Sequence, residues 1–198
     1  MVRPSSDEVA SLKQVAREIR DTTDESGYRV DVAVGQHRAF SHSRTPASSL
    51  ERSLVLDAAR RGASQAGLGA EEISGGLDII AMSDATIRRY RVKRVKVTAE
   101  GDYEVLCGEG SSLLVSNPEA LYREEKWILG YITSDDHTID RLIAAEIVDW
   151  RGNGPVRLVF GILIDLSDDQ PPRGFESTDE GLEGFDEGDS GAGTANAG

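Results

Sequence analysis

Ile87-Arg88-Arg89-Tyr90-Arg91-Val92-Lys93-Arg94-Val95-Lys96-Val97 is the stretch on which the reading of this chain turns. It carries six basic residues and no acidic one. Tyr90 and Val92 alternate with charged neighbours, which is the period of a strand with one dry and one wet face. The alternation then slips by one residue before resuming at Val95 and Val97, and one extra residue in a period-2 pattern marks a β-bulge. Ala99-Glu100-Gly101-Asp102 offers a turn, and residues 103–107 a returning limb. Residues 87–107 are therefore expected to form a twisted hairpin with a basic outer face.

Outward from the hairpin, the pattern on both sides is mostly strand. Leu77-Asp78-Ile79-Ile80-Ala81-Met82 reads as a short apolar strand before it, and residues 113–116 as another after it. Asn117-Pro118 suits a helix start of one or two turns through Ala120 and Leu121. Trp127-Ile128-Leu129-Gly130-Tyr131-Ile132 reads as a buried strand, and residues 139–150 as a further one. The latter turns through Arg151-Gly152-Asn153-Gly154-Pro155 into residues 156–166.

The N-terminal part has a different character. Ser5 and Glu8 form a capping box, and Val9, Leu12, Val15, Ala16 and Ile19 follow at helical spacing, so a helix is expected over 6–20. Tyr28, Val30, Val32 and Val34 alternate as in a strand, and residues 36–47 read as loop. A second capping box at Ser48 and Glu51 opens a helix that ends near Gly67 or Gly69. The expected fold is α+β: two N-terminal helices and one strand packed on a predominantly antiparallel, curled sheet or small β-barrel, with a disordered acidic C-terminal tail. The boundaries follow, with a helix-strand-helix region over 1–75, a β-rich region over 76–167 sharing its core, and the tail over 168–198.

Charge is unevenly divided. The chain of 198 residues carries −13, and from Asp168 onward nine acidic residues face one basic residue, Arg173, so that stretch holds −8 and the rest −5. An acidic body argues against strong sequence-independent binding to DNA or anionic membrane. The longest apolar run, residues 158–164, is far too short to span a bilayer. A single cysteine, Cys107, and an N-terminus without an apolar leader point to the cytoplasm.

Several constellations invite chemistry. Arg88, Arg89, Tyr90, Arg91, Lys93, Arg94 and Lys96 would contact phosphates, with Tyr90 stacking, or would receive an acidic protein or the chain's own tail. The plainer reading is a solvated strand face that blocks unwanted pairing. Glu124 and Lys126 form a Glu-x-Lys pair with Asp102 upstream, a set that in a Mg²⁺-dependent nuclease holds metal and stabilises phosphate charge. Such triplets also arise by chance in a chain that is 29% charged. His37, His42 and His137 would bind zinc only if the loop over 36–47 met the turn before Ile139, and no ligand spacing requires it. Cys107 lacks a nucleophile signature and reads as a small buried thiol.

The order Pro118, Leu121, Trp127, Leu129, Tyr131, Asp140-Arg141-Leu142 is similar to a run in the ligand-sensing WYL domains. The likeness covers about 25 of the 198 residues; the family's central Tyr is Ile128 here, and its Phe-Arg-Leu is His137-Thr138-Ile139, so no membership is read from it. No motif implies a cofactor. The sequence points to a non-enzymatic interaction protein, an assembly, adaptor or structural subunit that binds a protein partner or itself through Trp127, Trp150 and Tyr131. The alternatives are a Mg²⁺-dependent nuclease or nuclease-associated module, and a nucleic-acid-binding regulator.

Overall fold

Ser5 starts the first helix as its sequence implies, its hydroxyl accepting a hydrogen bond from the Glu8 N–H at 3.1 Å. The computed structural model describes residues 3–74, 76–83, 86–108, 111–114, 122–152 and 156–167. Helix α1 spans Ser6–Ser26 and buries Leu12, Val15, Ala16 and Ile19 along one stripe. Helix α3, Thr45–Gln65, starts with Pro46 in its first turn and buries Val55, Ala58, Ala59 and Ala63. The two helices meet at Gly62, where an added Cβ would lie 2.9 Å from the Val15 Cα. A side chain at that position would push the helices apart.

Nine strands follow: β1 (Gly69–Ile73), β2 (Gly76–Met82), β3 (Thr86–Arg94), β4 (Lys96–Val97), β5 (Tyr103–Glu104), β6 (Leu106–Cys107), β7 (Arg123–Thr133), β8 (Ile139–Arg151) and β9 (Val156–Asp165). Seven of them form one curled sheet in the order β1-β2-β3-β7-β8-β9-β6, and β4 pairs with β5 separately. Every pairing is antiparallel except β3 with β7, which is parallel. The expected α+β architecture, helices on a curled and mainly antiparallel sheet, is what the molecule has.

Alternation along the central strands divides the interior into two layers. Trp127, Leu129 and Tyr131 of β7, Leu142 and Ala144 of β8, and Tyr90 and Val92 of β3 face α1 and α3. Ile128, Ile143 and Ala145 face the other way, onto Val95, Val105, Cys107, Leu113, Val156 and Leu158. A strand buried on both faces carries an unbroken apolar run, which is why residues 127–132 read so clearly. No helix of the described residues is long and apolar enough to cross a membrane.

The structure corrects the sequence reading in several places. Tyr28–Gly35 is a helix, α2, and not a strand. Gly27 has helical dihedrals and its N–H donates to Thr23 O, so the chain continues coiling after α1 and satisfies its own backbone without a neighbouring strand. Of the alternating apolar residues only Val30 is buried, while Tyr28 and Val32 stay exposed. Gly69–Ile73, which the sequence reading leaves in the N-terminal region that ends at residue 75, forms edge strand β1. Leu113 and Leu114 lie in a turn rather than a strand. The helix start expected at residues 117–121 and the tail over 168–198 lie outside the described residues.

The hairpin expected over 87–107 is likewise reorganised. β3 has both edges taken, by β2 and β7, so it sits inside the sheet. Its returning limb divides between β5, which pairs with β4, and β6, which pairs with β9. No bulge interrupts β3, whose register with β7 is continuous from Thr86 to Arg94. The slip at Val95 marks a change of layer: even-numbered Tyr90 and Val92 face the helices, and odd-numbered Val95 faces the second core.

Candidate functional site

The cations of β3 do not form one wet face. Because successive side chains of a strand point to opposite sides, Arg88, Tyr90 and Arg94 project toward the helices, and Arg89, Arg91 and Lys93 away from them. Arg88 is 5% exposed and Arg91 6%, so neither is a surface cation. Each meets carboxylates, as buried charge must.

On the helix side, Arg88 Nη1 donates to Glu8 at 2.6 Å and Nε to Glu125 at 2.7 Å. The Tyr90 hydroxyl donates to the second Glu8 oxygen at 2.7 Å. Glu8 thus holds the base of α1 to the sheet instead of only closing a capping box. Burial, reinforced by Glu8, pushes the Tyr90 phenol far above its ordinary range. The Tyr90 and Trp127 rings pack tilted, 5.7 Å between centroids.

On the opposite side, a small cleft of about 200 Å³ gathers Glu71, Asp78, Arg89, Arg91, Ser112, Glu124 and Lys126. Arg91 grips Asp78 through two nitrogens and donates to the Ser112 hydroxyl at 2.9 Å. Arg89 bridges Glu71 and Glu124, the latter at 2.8 Å. Lys126 Nζ donates to Ser112 O, and burial lowers its pKa. Lys93 is lowered by burial too, with Arg91 beside it. Glu124 and Lys126 are therefore neighbours, as the Glu-x-Lys pattern implies. Asp102 lines a different concavity with Tyr103 and Glu104, and the carboxylate that takes its place beside the pair is Asp78.

A third cluster lies under α3. Glu51 is 2% exposed, and its carboxylate faces His137 Nδ1 at 3.0 Å, the Thr133 hydroxyl at 3.3 Å and Arg94 at 3.5 Å. His137 Nε2 lies 3.3 Å from Asp31 of α2. His137 is the described non-glycine residue with positive φ, at 63°, a turn conformation that aims its ring between the two carboxylates. His37 is elsewhere, its Nδ1 accepting from the Ala39 N–H at 3.1 Å, and His42 ends the same short 3-10 turn, Arg38–His42. The three histidines are not brought together. Among the described residues no group of three or more His, Cys, Asp or Glu side chains is arranged to hold a metal ion.

Sequence reasoning missed Glu8, Glu51, Asp78 and Glu125 as partners of the cations, since two of them sat in capping boxes. It also misplaced the interface anchors. Trp127 and Tyr131 are core residues at 0% and 3% exposure, whereas Trp150 is 45% exposed. Val148 on the same strand, Leu163 on β9 and Leu106 on β6 are also exposed. No family model, curated protein or solved structure matches the chain.

Proposed function

We propose that this chain is a non-enzymatic interaction protein, an assembly, adaptor or structural subunit, whose contact surface is the outer part of β8, β9 and β6. The observation that carries the reading is the exposure of Trp150, Val148, Leu163 and Leu106, at 45%, 40%, 40% and 46%, on three neighbouring strands. Exposed apolar side chains are what a partner buries, and tryptophan is a favoured anchor. The charged groups support the same reading. Glu71, Asp78 and Glu124 of the cleft already meet Arg89 or Arg91, so the charge of the cleft is largely neutralised within the protein. The single, buried cysteine fits a reducing compartment, the cytoplasm, and the acidic residues beyond Asp168 act as a solubilising or docking arm.

Light scattering on the full chain from micromolar to submillimolar concentration, with purification of the tagged chain from its native host, tests this. The expected result is self-association or a stoichiometric protein partner, weakened about tenfold or more by Trp150→Ser at unchanged fold. A monomer at every concentration with no such partner overturns it. So does Mg²⁺-dependent cleavage of plasmid or single-stranded DNA that Glu124→Ala abolishes, or DNA binding with a steep salt dependence.

A further inference from the structure

Glu146 of β8 is a buried carboxylate that meets no cation among the described residues. Glu51, Asp78 and Glu125, the other carboxylates buried to that degree, each face an arginine. Glu146 is 6% exposed, and its Oε2 accepts from the Ile162 N–H at 3.3 Å. Buried charge is ordinarily paired, so this one lacks what its counterparts have. It lies opposite Trp127, on the helix-facing side of the sheet. The exposed Gly161 forms a window over it, since an added Cβ there would stand 2.8 Å from Glu146 Oε2 and 2.6 Å from Val148 Cγ1.

The sheet around this window is short of a helix. Val148 and Leu106 are exposed, and Val159 and Ile162 are half-buried. The pairings of Leu106 with Arg157 and of Asp149 with Val159 set those residues opposite in direction to Leu158 of the second core, on the same side as Glu146. A groove of about 500 Å³ lies between Ile164 and the start of α1 at Pro4, Val9 and Ala10. An apolar face with a carboxylate at its floor calls for an apolar element that carries a cation.

The chain itself has such an element. Helix α2 exposes Tyr28 at 58% and Val32 at 56%, one turn apart, and Gly35 continues the stripe into open space. Arg29 is exposed beside them, its Nε donating to the Tyr28 hydroxyl at 3.4 Å. Within one molecule α2 cannot reach the open face. It is held at the β7–β8 turn, where Asp31 meets His137, and the distance along β8 from Ile139 to Glu146 is about 24 Å at the rise of a strand.

We infer that the open face of each molecule is covered by α2 of a second copy, with Tyr28 and Val32 on Val148 and Ile162, and Arg29 giving Glu146 its cation. The inference rests on the interaction-protein reading and names its partner. Each copy offers both the helix and the face, so two equal contacts close about a two-fold axis and give a dimer. Opposite charge selects the match. Folding has already taken the Glu146 carboxylate out of water, so a guanidinium that forks onto it meets a desolvated partner.

The test is sedimentation velocity on the full chain. Val32→Asp and Arg29→Glu, both on exposed positions, should each weaken the dimer about tenfold or more. Glu146→Arg should do the same, and the double variant Arg29→Glu with Glu146→Arg should restore it. An equimolar mixture of the Arg29→Glu chain and the Glu146→Arg chain should also dimerise, because each then meets a partner of the right charge in both contacts. Should Glu146→Arg fail to fold, as circular dichroism would show, Val32→Asp and Arg29→Glu decide alone. A dimer that ignores those two, or folded variants that stay apart when mixed, overturns this docking. An assembly lost with Trp150→Ser but not with Arg29→Glu overturns it and leaves the interaction reading standing. A monomer with a stoichiometric foreign partner does the same, and a monomer with no partner overturns both.

Discussion

Arg88 and Glu125 face each other at 2.7 Å with side chains 7% and 9% exposed, and Glu8 completes the pair from α1. The base of the first helix is therefore tied to the sheet by charge taken out of water. Removing one partner of a buried pair leaves the other uncompensated, at a cost of about 3–5 kcal/mol. Arg88→Met should lower stability by that order in urea denaturation, and Arg88→Met with Glu8→Gln and Glu125→Gln should recover most of it. A loss of under about 1 kcal/mol in the single variant would show the pair to be idle.

Alkaline stability should be governed by the buried phenols. Burial, with Glu51 nearby, raises Tyr131 to about 12 from its ordinary 10. Between those values the unfolded chain has lost the proton and the folded chain keeps it, so stability falls as pH rises. Two units correspond to about 3 kcal/mol. Urea midpoints taken from neutral pH upward should decline above pH 10, and Tyr131→Phe should make the decline shallower. Tyr90, shifted in the same direction, should account for part of what remains.

Close packing at Gly62 gives a steric prediction. With Val15 Cα 2.9 Å from where a Cβ would stand, Gly62→Leu has to separate α1 from α3. Overpacking of this kind costs about 1–3 kcal/mol, and thermal unfolding should show the corresponding fall in Tm. A variant as stable as the parent would mean that the helices are not held this close.

Glu51 is the third test of buried charge. It links α3 to the β7–β8 turn through His137 and Thr133. Glu51→Ala should destabilise by about 2–4 kcal/mol and raise amide hydrogen exchange over residues 134–138 before the sheet. Uniform exchange across the molecule would argue against this local role.

The course of the backbone is legible in the sequence where burial is two-sided. Trp127 to Ile132 announces itself by an unbroken apolar run, and the long β8 by its apolar middle, Leu142 to Ala145. α2 is not legible, because Tyr28, Val30, Val32 and Val34 satisfy a strand's period while a helix buries just Val30 of them. The fate of the cations is illegible for a different reason. Arg88 and Tyr90 find Glu8 from 80 and 82 positions away, and no local pattern records a pairing made by the fold. The capping boxes even mislead, since Ser5 caps as expected while Glu8 and Glu51 serve the interior.

The parallel ladder between β3 and β7 also orders events in time. Its two strands are separated by the whole of residues 95–122, and β3 is an inner strand whose far neighbour is made later. On the ribosome, where chains lengthen at about 5–20 residues per second, a growing molecule would hold Tyr90 and Val92 half-covered for seconds, until Trp127 to Tyr131 emerge. Premature termination between these strands would strand an exposed sheet edge, so the vulnerable moment of this protein lies in its birth.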